Sequence, residues 1–438
     1  MNSVEKKTKD PYAFSRTMYY PKCAFAYLIS IITTGAYLAK LTTAIGISDG
    51  MTGMLSSLAS LACFFQFASV PLSYRKSSKG TVIFLTTLNN LLYSVLYMIP
   101  FMGLTAMANS AIFFICILSS MIMNQISAPL VANWFLGITR PEYRGTFLGI
   151  NSVISNVCGL IFTFIASMVA DNFTKSGNLE GMLITFSITI LVLNILHFIT
   201  LLLAKEKPRR TCKKCDSVIR SFKILIKNKV YRKYLLFFIV YSISQAIAVP
   251  FFGTYQIREL GLSMTKVTVI MTISSISAIL FLSIFGNYAR RHSLAQTMKI
   301  GLPMIALSNI FIILCTPKNG MIMFILYYIV YNLGFSAFSL GTDPIVLEMV
   351  EEEHHTSAIA IKNVIAGPLG FLTTTLLTPL LNYIQGNGNV IFGIHIYGQQ
   401  LFAIIAMAVM TVSSIMFYKF ARLHTPITEY GSEVKDRI

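Results

Sequence analysis

The chain has 438 residues, of which 55% are hydrophobic and only 12% charged, with a formal net charge of +18. A soluble domain carries about a quarter charged residues, so this composition excludes an ordinary soluble enzyme. Its basic residues fall in short loops rather than along one soluble face, which excludes a nucleic-acid-binding domain.

In chain order, residues 1–22 are polar and precede an apolar stretch too long for a signal-peptide core, so span 1 is expected to serve as its own insertion signal. Six apolar spans follow at roughly 23–45, 51–72, 81–100, 108–136, 146–169 and 182–204. After a basic linker at 205–233, six more cover roughly 234–257, 267–285, 294–315, 321–346, 358–384 and 396–420, ahead of a tail at 421–438. Each approaches the ~20 apolar residues that a helix needs to cross hydrocarbon. Barrel-type alternation is absent, which leaves helices to pair every backbone group internally. The expectation is an all-α membrane protein with 12 transmembrane helices, split six and six by the linker.

Nearly all of the 35 lysines and arginines fall in the two termini and in every second loop. Lysine and arginine are retained on the cytoplasmic side, so both termini are predicted to be cytoplasmic in a multi-pass protein of the cell membrane. The linker carries the densest cluster, from Lys205 through Arg209, Arg210, Lys213, Lys214, Arg220, Lys223, Lys227 and Lys229 to Lys233. It reads as a topology signal and tether, or as an attractor of anionic lipid headgroups. Cys212 and Cys215 form a Cys-Lys-Lys-Cys pair without further ligands nearby, and the seven cysteines give no disulfide framework. No metal or cofactor is expected. Asn172-Phe173-Thr174 is a glycosylation sequon in a predicted outer loop.

The halves correspond loop by loop. Loop 2/3 reads Ser73-Tyr74-Arg75-Lys76-Ser77-Ser78-Lys79-Gly80, and loop 8/9 reads Gly286-Asn287-Tyr288-Ala289-Arg290-Arg291-His292-Ser293. Span 4 carries Pro129 and exits into Arg140-Pro141-Glu142-Tyr143-Arg144-Gly145; span 10 carries Pro344 and exits into Glu351-Glu352-Glu353-His354-His355. An internal parallel repeat predicts this correspondence.

The segment from Trp134 through Arg140-Pro141-Glu142-Tyr143-Arg144-Gly145 to Gly149 resembles the Pro-x-x-x-Arg-Gly connection of the major facilitator superfamily. Gly286, Ala289, Arg290 and Arg291 are similar to that family's loop signature but lack its aspartate, as does loop 2/3. The resemblance covers nearly the whole chain. It implies two six-helix bundles that rock around a central cavity lined by spans 1, 4, 7 and 10. The drug-efflux branch's proline motif is not matched in span 5, which has Gly149, Asn156 and Gly159. Gly367-Pro368-Leu369-Gly370 in span 11 reads as a helix kink.

Polar residues at helical spacing on those four spans have no reason to face lipid. Span 1 offers Ser30, Thr33, Thr34, Tyr37 and Lys40; span 4 offers Ser120, Asn124 and Ser127. Span 7 offers Tyr241 and Gln245, then Phe252, Tyr255 and Gln256; span 10 offers Tyr328, Asn332, Phe335, Ser339 and Asp343. Each residue could line the cavity or bond a neighbouring helix. Lys40 reads as a snorkelling cation or as an anchor for an anionic group or outer gate. Asp343, before Pro344, reads as a titrating proton site or as an inner-gate carboxylate bonded to amides. Arg144, Arg290, Arg291, Glu348 and Glu351 are the expected cytoplasmic gate.

Clustered catalytic groups are missing, so no enzyme is expected. The expected function is secondary active transport of a small polar or amphipathic solute by a monomer, through alternating access and proton coupling. The alternatives are a drug or metabolite efflux carrier and a non-transporting membrane receptor or assembly protein.

Overall fold

A helix pairs the backbone of a long apolar run within itself, and the apolar runs of this chain fold accordingly. The computed structural model describes residues 10–69, 72, 77–103, 105–139, 144–207, 218–350, 355–391 and 393–423. Its helices are α1 (Ala13–Thr33), α2 (Gly35–Ala44), α3 (Asp49–Ala62), α4 (Lys79–Met98), α5 (Ala106–Gly137), α6 (Arg144–Lys175) and α7 (Leu179–Leu203). They continue as α8 (Val218–Lys227), α9 (Lys229–Ala248), α10 (Met264–Arg291), α11 (Leu294–Ile313), α12 (Gly320–Thr342), α13 (Pro344–Glu348), α14 (His355–Gly386) and α15 (Gly398–Leu423). A small antiparallel hairpin, β1 (Val390–Ile391) with β2 (Ile394–His395), lies between α14 and α15.

Among the described residues, 11 helical spans are long and apolar enough to cross a membrane; counting the bent pair α1 and α2 as one span makes 12. That pair bends by 44°. Gly35 supplies the bend with a φ of +56°, a left-handed setting that a side chain would strain. The stripe expected along one continuous face of span 1 is therefore divided: Ser30 and Thr33 lie before the bend, Tyr37 and Lys40 after it.

The chain forms two compact units, one of Met1–Thr33 with Phe65–Lys213 and one of Thr34–Phe64 with Lys214–Ile438. Residues 34–64 precede the linker in sequence yet pack with the part of the chain that follows it.

In the first unit, α4 packs against α5 and α7, and α1 against α6 and α7. Trp134 is buried with Val82, Leu130, Phe135, Phe147 and Leu201, and its indole N–H donates to the Lys205 carbonyl at 3.1 Å. The neighbouring ends of α4 and α7 cap one another. Glu206 accepts from the Ser78 and Lys79 backbone N–H groups at 3.0 Å and from the Ser77 and Ser78 hydroxyls. In return the Lys79 ammonium donates to the Leu202 and Ala204 carbonyls at 2.8 and 2.7 Å. Each charge complements the helix end that it meets. Partial burial alone raises the Glu206 carboxyl, but these hydrogen bonds outweigh it and hold the group below its usual range. Outside this core, Val153, Val157, Ile161 and Ile165 on α6 and Ile184, Ile188, Ile195 and Ile199 on α7 are exposed. Their spacing of about one or two turns makes apolar faces suited to hydrocarbon.

In the second unit, α12 packs against α10 and α11, α15 against α9 and α11, and α14 against α3 and α9. A Cβ on Gly367 would lie 2.3 Å from the Ser60 carbonyl oxygen. The glycine of the Gly-Pro-Leu-Gly segment thus admits the backbone of α3, which is a packing role in place of the expected kink alone. Beyond α9 the chain continues through a tight turn at Val249–Phe251 and a wide π turn at Tyr255–Glu259. The residues expected as linker end in structure, since 218–227 form α8 and α9 starts at Lys229. Cys212 and Cys215 lie outside the described residues.

Candidate functional site

Pro344 has no N–H to continue the helix, so α12 stops at Thr342 and α13 restarts at Pro344, with Asp343 at the break. Tyr234 of α9 donates to the freed Thr342 carbonyl at 2.7 Å. Beside it the Lys362 ammonium, on α14, donates to Asp343 at 2.6 Å. The side chain of Lys362 is 2% exposed and that of Asp343 is 56% exposed. The Phe238 ring covers the ammonium, with its centroid 4.3 Å from Nζ. Asp343 therefore neutralises a buried cation from an exposed position. Sequence reasoning missed Lys362, which falls only four residues inside the expected start of span 11 at residue 358. Opposite charges at the adjoining ends of spans 10 and 11 were the available signal.

About two to five turns into α9 and α12 lies an aromatic and polar group. Tyr331 donates its hydroxyl to the Gln245 side-chain oxygen at 3.0 Å. Tyr331 stacks with Tyr327 and Phe335, at 5.5 and 5.6 Å between ring centroids, and Tyr328 meets Tyr327 edge-on at 5.1 Å. Tyr241 lies against Phe338 at 4.2 Å. The structure thus brings together Tyr241, Gln245 and Tyr328 of the expected set, and adds Tyr331. Such a surface offers ring faces for stacking and an amide and hydroxyls for hydrogen bonds.

Other expected site residues are placed differently. Asn332 is buried and turned to α10, donating to the Ser274 carbonyl and hydroxyl at 2.8 and 2.9 Å and to the Ser277 hydroxyl at 3.0 Å. Its amide ties two helices together, the second of the roles that its spacing allowed. Ser127 is buried and donates to the Asn124 carbonyl within α5 at 3.1 Å, while Asn124 is exposed. Ser30 donates to the Tyr27 carbonyl at 2.7 Å, Thr34 is exposed at the bend, Tyr37 is buried and Lys40 half-buried. Arg291 is exposed near the end of α10 and Glu348 is exposed at the end of α13. Glu351 and the side chains of Arg144 and Arg290 lie outside the described residues.

A second charged group, which the sequence did not suggest, joins α3 to the far end of α14. Asp49 opens α3 and pairs with Arg258 of the π turn. Arg258 also donates to the Thr43 hydroxyl at 2.6 Å and to the Ile47 carbonyl. Gln385 donates to Asp49 and to Glu259, both at 2.7 Å, and Asn389 donates to Glu259 at 3.1 Å. One turn back, Asn382 and Thr378 bond the backbone of Gly50. No group of three or more His, Cys, Asp and Glu side chains suited to a metal occurs among the described residues.

No curated protein matches the sequence. Among solved structures, the chain is similar to a point variant of the nucleoside transporter NupG, with a TM-score of 0.72 at 13% identity over 93% of this chain and 99% of that one. It is also similar to a D-xylose-proton symporter, with a TM-score of 0.70 at 14% identity over 93% and 98% of the two chains. A bacterial homolog of the human lysosomal transporter Spinster, inward-facing and unoccupied, gives a TM-score of 0.65 at 14% identity over 94% and 97%. At these identities the likeness is one of fold. The family model of the Major Facilitator Superfamily matches residues 23–375. With its apolar spans, that match makes the chain a member of the Major Facilitator Superfamily, a multi-pass membrane transporter and not an enzyme.

Proposed function

We propose that the chain is a secondary carrier that moves a small, neutral, hydrogen-bonding solute across the cell membrane by alternating access, driven by a proton gradient. The Asp343–Lys362 pair carries this reading. Protonating Asp343 removes the charge that compensates a buried ammonium, and an uncompensated buried cation costs several kcal/mol. A rearrangement that hydrates Lys362 relieves that cost. Proton binding at Asp343 thereby favours one arrangement of the helices over another, which is what coupling requires.

In this reading, 23–204 and 234–420 are the two six-helix bundles, with both termini cytoplasmic. The polar residues of spans 1, 4, 7 and 10, apart from the packing residue Asn332, belong to the solute pathway, and Arg144, Arg290, Arg291, Glu348 and Glu351 to the cytoplasmic gate. Tyr241, Gln245, Tyr328 and Tyr331 suit a ring compound that can stack and accept hydrogen bonds. The transporters of nucleosides and D-xylose among the similar folds carry solutes of that chemistry.

The test is uptake by the purified protein in proteoliposomes, over a panel of nucleosides, pentoses and hexoses, with and without an uncoupler. Asp343→Asn should abolish accumulation driven by a pH gradient while leaving counterflow exchange. Accumulation unchanged in that variant would remove Asp343 from coupling. Inactivity over a broad panel, with a tight protein partner recovered instead, would favour a receptor.

A further inference from the structure

Helix α8 is amphipathic. Leu225 is buried, and α8 packs on α14 and α9. Phe222, which shares the face of Leu225 and Ile226, is nevertheless 40% exposed, and Ile224 is 44% exposed. Lys223 and Lys227, one turn apart, are exposed on the other side. Asn228 then fixes the passage into α9. Its side-chain oxygen accepts from the Val230 and Tyr231 N–H groups at 2.9 and 3.2 Å, and its amide donates to the Met349 carbonyl at 3.0 Å. The first turn of α9 adds Lys229, Arg232 and Lys233, all exposed, while Tyr231 is buried and bonded to the Ala358 carbonyl at 2.8 Å. None of these five cations forms an ion pair among the described residues.

The membrane-spanning part of the chain resumes at Lys229, so this group sits where a span leaves hydrocarbon. An exposed phenylalanine beside a cluster of exposed cations is poorly served by water. A bilayer surface rich in anionic lipid serves both, because phosphates meet the ammonium and guanidinium groups while acyl chains receive Phe222. We propose that α8 and the first turn of α9 form a docking surface for anionic phospholipid. The lipid holds α8 in the interface and anchors the start of α9. This surface does not depend on which solute is carried or on proton coupling, so the transport experiment and the lipid experiment fail separately.

The full chain is reconstituted in nanodiscs of phosphatidylcholine and phosphatidylglycerol, with one or the other lipid brominated. Phe222→Trp is compared with the parent chain, whose Trp134 supplies the background. The added indole should emit at short wavelength and be quenched more by brominated phosphatidylglycerol than by brominated phosphatidylcholine. Lys223→Gln and Lys227→Gln should each weaken that preference about five-fold. In the unaltered chain, phosphatidylglycerol retained in detergent and counted by native mass spectrometry should fall as salt screens the contact. Water-like emission insensitive to bromine, equal quenching by the two lipids, or salt-independent retention would overturn the proposal. Quenching that appears only when an acidic peptide or protein is withheld would assign the surface to that partner instead.

Discussion

At one end of α14 the base is buried and the acid is open, with Lys362 2% exposed and Asp343 56% exposed. At the other end the acid is buried, Asp49 at 2%, and the base is partly open, Arg258 at 24%. Lys362 and Gln385 lie about 35 Å apart along the helix at ~1.5 Å rise per residue. Among the described residues, Lys362 meets one carboxylate and one aromatic ring. Asp49 has Arg258 and Gln385, and Arg258 keeps Thr43 and Ile47 besides. Networks spread an interaction over many groups, whereas a lone pair is undone by a single proton. In the proposed reading the first end responds to protonation, and the second holds.

The contrast breaks most visibly at Asp343. Asp343→Ala should cost about 2–3 kcal/mol, below the ~3–5 kcal/mol of a fully buried pair because the acid is exposed. Adding Lys362→Met should restore most of that stability, while gradient-driven uptake stays lost. Equal unfolding temperatures for the single and double variants would sink the dependence of Lys362 on one partner.

A smaller loss, about 1–2 kcal/mol, is expected for Asp49→Asn, because Arg258 retains its other acceptors. Thermal unfolding that ranks Asp49→Asn above Asp343→Ala would reverse the proposed roles of the two ends.

Glu206→Gln sharpens the comparison with an acid that caps helix ends, and should cost about 1 kcal/mol. The folded carboxyl is held below its ordinary value of 4.5, so its contribution is complete above that value and fades as the pH falls through the lowered one. The gap between variant and parent should therefore close in strong acid. A gap of constant size down to the most acid condition would refute the cap.

The least structural effect is expected at Tyr331→Phe, which removes the bond to Gln245. Unfolding should shift by no more than about 0.5 kcal/mol, the low end for a hydrogen bond, while half-saturation for the transported solute rises about five-fold. An unchanged half-saturation would take Tyr331 out of the solute surface.

The spans were legible because apolar runs of membrane length leave few alternatives. Partnerships were not. Helical spacing placed Asn332 on a face with Tyr328 but could not say that the face meets α10, where Ser274 and Ser277 take its amide. Asp49 and Gln385 are far apart in sequence, and no local pattern announces a bond that only packing creates. Gly35 is one small residue in an apolar run, and its left-handed φ follows from how the chain must turn there. A similar blind spot hid α8: the charge of 205–233 was plain, but the same residues also carry an apolar face.

The grouping of Thr34–Phe64 with the later chain also has a bearing on synthesis. These residues leave the ribosome early, yet α14, their packing partner, is nearly 300 residues away. At ~5–20 residues per second, roughly 15–60 s separate the two. Throughout that interval α3 exposes Asp49 and the surface that later receives Gly367, and either a chaperoning insertion factor or the lipid itself must tolerate them. Substitutions in α3 are therefore expected to lower the yield of inserted protein before they alter any property of the finished carrier.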